Sequence, residues 1–80
     1  MPAYVLRIAS ESDKPREFRS ASHTRAEEWA RRQLTELGHD PESIKLGEWQ
    51  ADEGDRLQDR LPINDAESGE AIASLTVRFA

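Results

Sequence analysis

The chain has 80 residues, no cysteine, 36% hydrophobic residues and a formal charge of −5, from sixteen Asp and Glu against eleven Lys and Arg. This length holds one domain with one small core. The missing cysteines exclude disulfides, thiolate catalysis and zinc–thiolate sites. The acidic balance argues against direct nucleic-acid binding.

No apolar run approaches the roughly 18 residues a membrane helix needs. Arg7 interrupts the first apolar stretch and no small-residue cleavage site follows it, so no secretory leader and a cytoplasmic location are expected.

Residues 3–9 alternate, with Tyr4, Leu6 and Ile8 on one face, and predict a first strand. Asp13-Lys14-Pro15 is a turn signature. Residues 16–21 predict a short second strand with Phe18 as its one large apolar residue. The period then changes to 3.6. Ala26, Trp29, Ala30, Leu34 and Leu37 form an apolar stripe, which predicts a helix over 24–37. Ser22 or Thr24 would cap its start, and Gly38 its end. Glu27 with Arg31, and Glu28 with Arg32, stand four apart in the favourable order.

Residues 43–51 predict a third strand in which Ile44 and Leu46 share a parity that Trp49 does not. A bulge at Gly47 would turn Trp49 onto the face of Ile44. Without one, Trp49 stands exposed as an interface anchor.

Residues 52–70 leave two readings open. Leu57 and Leu61 fit one helical turn, or Asp52-Glu53-Gly54-Asp55 turns a hairpin with 56–61 as the returning strand. Pro62, Asn64-Asp65 and Ser68-Gly69 read as turns, and 71–79 is the clearest strand. The sum is an α+β single domain over 1–80, in β-β-α-β-β order. One helix lies on one face of a mostly antiparallel sheet of about four strands, with the terminal strands as neighbours. The expected core is Tyr4, Leu6, Ile8, Phe18, Ala26, Trp29, Ala30, Leu34, Leu37, Ile44, Leu46, Leu75, Val77 and Phe79.

The sequence offers no catalytic constellation. His23 and His39 flank the helix, roughly 20 Å apart, and cannot share a metal ion. Ser22-His23 lies on a cap, and no nucleophile elbow is present. Residues 65–70 lack the ligand order of a calcium loop. The four glycines are isolated, so no phosphate-cradling loop exists. No enzymatic activity, metal or cofactor is expected.

The charge itself is uneven. Residues 1–47 are neutral, with eight acids and eight bases. Residues 48–70 hold Glu48, Asp52, Glu53, Asp55, Asp59, Asp65, Glu67 and Glu70 against Arg56 and Arg60, a net −6. Two readings of this segment stand, a solvated loop that aids solubility and a surface that steers association with a basic protein. On the second reading these eight acids and Trp49 are the candidate partner-binding residues. Such a surface can occupy a groove built for nucleic-acid phosphates.

The stretch Phe18-Arg-Ser-Ala-Ser22-His-Thr-Arg-Ala26-Glu-Glu-Trp29-Ala30 resembles the strand-into-helix junction of some anti-CRISPR proteins. Those proteins share no single fold or catalytic motif, so no functional residue carries over. The resemblance implies a role, that of a small phage-encoded inhibitor held by acidic contacts on the nucleic-acid-binding surface of a bacterial effector complex. The alternative is a structural domain that self-associates as a homodimer.

Overall fold

The structure is a computed structural model and describes residues 2–11, 13–52 and 55–78, with the backbone alone at 52 and 55–57. Strand β1 (Ala3–Ile8) pairs antiparallel with β2 (Arg16–Arg19) across a reversal that includes a 3₁₀ turn at Ala9–Glu11. Helix α1 (His23–Glu36) follows, then a 3₁₀ turn at Pro41–Ser43. Strands β3 (Ile44–Leu46), β4 (Gln50–Asp52), β5 (Asp55–Asp65) and β6 (Ala71–Arg78) complete the described chain. The sheet order is β2-β1-β6-β5-β3, with β4 beside β5 further along the β3 edge, and every pairing is antiparallel.

The α+β class and the single helix agree with the sequence reading. The number of strands does not, because six are present among the described residues rather than four. Both added strands come from 43–70: the expected third strand is broken into β3 and β4, and β5 is the returning strand of the hairpin alternative, extended to Asp65, rather than a helical turn at Leu57 and Leu61.

Local chemistry explains the helix. Ser22 sits in extended backbone, and its Oγ accepts from the Arg25 N–H at 3.3 Å. Gly38, at φ +100, ends the helix in a left-handed turn that other residues rarely adopt. There the Gly38 N–H donates to Thr35 O at 3.0 Å and the His39 N–H to Leu34 O at 3.1 Å. Ala26, Ala30 and Leu34 are fully buried. The anticipated Glu27–Arg31 and Glu28–Arg32 ion pairs do not form; Arg31 instead donates to Pro41 O and Ile44 O, tying the helix to the turn that follows it.

The helix covers one sheet face. Tyr4, Leu6, Leu61, Ile63, Leu75 and Val77 are fully buried there, with Ile8 and Ile44 nearly so. Phe18, Trp29 and Leu46 pack at the margin, and Leu37 is 39% exposed at the helix end, outside the core. Phe79 lies outside the described residues. Leu61, Ile63 and Ala73 belong to the core although the sequence reading left them out.

The placement of Pro62 inside β5, between two partner strands, needs a reason, since proline cannot donate to a ladder. In an antiparallel pair, one residue's N–H and C=O point to the same neighbour. The Pro62 carbonyl accepts from Gly47 N at 2.9 Å, so the missing donor faces the β3–β4 edge. That edge is irregular at this point. From Leu46 to Gln50 the chain advances four residues, while the partners on β5 move only three, from Ile63 to Arg60. One extra residue is therefore inserted next to Gly47, and the proline falls where the ladder is already broken.

Candidate functional site

The inserted residue decides the position of Trp49. It turns the indole onto the helix side of the sheet, which is the bulged alternative of the sequence reading. Trp49 is half-buried and meets Tyr4, with ring centroids 6.0 Å apart, and His23, at 4.5 Å. The Tyr4 hydroxyl bonds His23 Nδ1 at 2.5 Å. Three parts of the chain, β1, the start of α1 and the β3–β4 bulge, are thus joined in one aromatic cluster. Burial raises the Tyr4 phenol above its usual value of 10.0, and the Glu27 carboxylate raises it further. The Trp49 Nε1 is buried without a hydrogen-bond partner. Trp49 therefore packs against the core rather than standing out as an exposed anchor.

The acidic segment does not make one patch. Asp52 and Asp55 lie at the tip of the β4–β5 hairpin, while Asp65, Glu67 and Glu70 lie at the opposite end of β5. Glu53 is outside the described residues. Asp55 and Asp65 are ten residues apart on one strand, about 33 Å at the usual rise. The longest dimension of the molecule is 34 Å, so the segment runs from one extreme to the other. Between them, Glu48 is exposed at the bulge and Asp59 is half-buried on the helix side.

At the β5–β6 end the acids are gathered by backbone geometry. The Asp65 carboxylate accepts from the Glu67 N–H at 2.8 Å and the Ser68 N–H at 3.4 Å, which folds the turn and holds Glu67 and Glu70 outward. The Ala66 N–H donates to Ser43 O at 2.8 Å and fastens this turn to the Pro41–Ser43 turn. That contact brings in Asp40, whose carboxylate caps its own turn through the Glu42 N–H at 2.9 Å, and Glu42 itself.

The resulting acidic end holds Asp40, Glu42, Asp65, Glu67 and Glu70. Glu42, Glu67 and Glu70 are exposed and have no ion pair among the described residues. Asp40 and Glu42 belong to the half of the chain that counts as neutral by sequence. Their contribution follows only from the Ser43–Ala66 contact, which has no sequence signal.

His23 is the first residue of the helix rather than preceding it, and His39 lies just past its end, so the two stand at opposite ends. Among the described residues no three His, Asp or Glu side chains converge as a metal ion would require. No described helix is long and apolar enough to cross a membrane. Comparison of the chain with protein-family models, with curated proteins and with solved structures gives no significant match in any of the three.

Proposed function

We propose that this chain is a non-enzymatic protein-binding module whose acidic end docks on a basic surface of its partner. The role fits a small inhibitor of the anti-CRISPR kind, phage-encoded and acting in the host cytoplasm, that covers a nucleic-acid-binding groove of an effector complex. One observation carries the reading: two turns from distant parts of the chain are fastened together and present three glutamates without counter-ions. Such a surface raises the association rate with a basic partner and loses that advantage as salt rises. Asp52 and Asp55 at the far end of β5, and Glu48 with Asp59 along the edge, would add contacts if the partner spans the long axis.

The homodimer alternative has less support. The β2 edge is four residues long and carries Arg16, Glu17 and Arg19, and charges on a short edge discourage strand pairing. The test is a pull-down and titration against a basic effector subunit. Glu42→Lys/Glu67→Lys/Glu70→Lys should abolish binding and leave the circular dichroism spectrum unchanged. A triple variant that binds as the parent does would remove the proposal.

A further inference from the structure

The second sheet face is the less expected surface. Alternation along the strands sends Leu6, Leu61 and Leu75 to the helix and the intervening residues to the other side. No described helix covers that side. Its charged residues are Arg7 on β1, Glu17 and Arg19 on β2, Lys45 on β3, Arg60 on β5 and Arg78 on β6. Among the residues whose side chains are described, five cations stand there against one carboxylate, and that carboxylate is engaged by Arg19 at 3.2 Å. An acidic chain therefore has one basic face.

Arg7, Lys45 and Arg60 are exposed and have no hydrogen bond or ion pair with any described residue. Arg7 pairs with Ser74 and Arg60 with Thr76, so the two arginines lie diagonally across β6 with about 12 Å between their Cα atoms. Ser74 lies between them on this face, and a shallow groove of about 240 Å³ touches both arginines and Ser74 and runs to Ile8 and Ala9 at the end of β1. Thr76 at the centre is only 8% exposed, which fits arginine stems lying over the sheet with their guanidinium groups in water.

We infer that this face binds the phosphate backbone of a nucleic acid, a contact separate from the protein docking proposed above. Forked guanidinium groups are what phosphate oxygens require, with Ser74 the hydroxyl between them. An acidic protein partner would fit the charge but would also need an apolar anchor. Among the described residues this face has no aromatic side chain, and Val5, its apolar residue on β1, is half-buried. The stacked Phe18 and Trp29 lie on the helix side, each occupied by the other at 5.0 Å between centroids. Without base stacking, affinity follows phosphate density, and duplex carries twice the charge per unit length of one strand. The sign of the whole chain hides this because, among the described residues, only Glu17 of its acids shares that face with the five cations.

The test is fluorescence anisotropy with labelled 20-base-pair duplex DNA and with the matched single strand, in a salt series. Duplex should bind more tightly than the strand, in the micromolar range, with a log–log salt slope of about −3 for three phosphates. Arg7→Gln/Arg60→Gln should weaken duplex binding at least about tenfold and reduce the slope by about 2. Arg25→Gln/Arg32→Gln, on the helix and with the same change in net charge, should stay within about twofold of the parent. Absence of duplex binding at low salt would overturn the inference, as would tighter binding of the single strand. So would an equal loss in both double variants, or equal binding of polyglutamate, which would mark the face as a site for acidic protein.

Discussion

Replacing Gly47 with alanine tests how β3 and β5 are held together. A Cβ at this position would lie 2.8 Å from Pro62 Cγ and 3.3 Å from Pro62 O. Carbon atoms in contact normally stay 3.5–4.0 Å apart. The pyrrolidine ring cannot rotate away, since it is closed on its own backbone. Backbone separation is limited too, because the Gly47 N–H donates to Pro62 O at 2.9 Å.

Relief requires β3 to move off β5, which weakens that bond and disturbs the bulge that places Trp49. Overpacking of this kind costs about 1–3 kcal/mol, and a weakened hydrogen bond adds about 1. At about 4–8 °C per kcal/mol for a domain of this size, Gly47→Ala should lower Tm by on the order of 10–30 °C. Thermal unfolding followed by circular dichroism measures this, and tryptophan fluorescence reports the shift of Trp49. In a Pro62→Ala background the ring is gone, and the same substitution should cost less by at least about 1 kcal/mol. A Gly47→Ala protein as stable as the parent, or an equal loss in both backgrounds, would refute the close approach as the reason for glycine.

Tyr4→Phe should cost about 1 kcal/mol, from the lost bond to His23 Nδ1. The parent should also show a pH dependence that the variant lacks. The folded phenol holds its proton above pH 10.0, where the unfolded one releases it, so this contribution is complete below pH 10.0 and is lost as pH rises past it. Urea unfolding of both proteins across that range measures the difference, and parallel curves would contradict it. Leu61→Ala should be the more damaging change, about 2–5 kcal/mol, because the side chain is fully buried between helix and sheet. A loss below 1 kcal/mol in urea unfolding would contradict that position.

The elements with a single clear period were legible in the sequence. Tyr4, Leu6 and Ile8, the Ala26–Ala30–Leu34 stripe and the Leu75–Val77 alternation each fit one template, and each packs as read. Strand β5 was legible only as one of two alternatives, and not beyond Leu61, for a specific reason. Leu57 and Leu61 are four apart, a spacing that suits a helical turn and, being even, also suits one face of a strand. Pro62 then looked like a turn and cut Leu61 from Ile63. What permits a proline there is the irregular neighbour across the sheet, and nothing within residues 56–65 announces it. The charged surfaces followed the same division. The excess of acid in 48–70 was countable, but its separation into two ends depends on β5 being one long strand. The basic face needed the register of five strands at once.

The pairing of β1 with β6 sets Ala3 opposite Arg78, 75 positions apart, in the middle of the sheet rather than at its margin. Loop closure over that separation costs about 4 kcal/mol of chain entropy before the contact returns anything. The β1–β2 and β5–β6 hairpins close short loops and can form early, while the seam that unites them must wait. Folding of this domain is then slow for its size, and the last step is the joining of two preformed halves. Both ends of the described chain also emerge side by side at that seam. A short linker between them would convert the slowest contact into a local one.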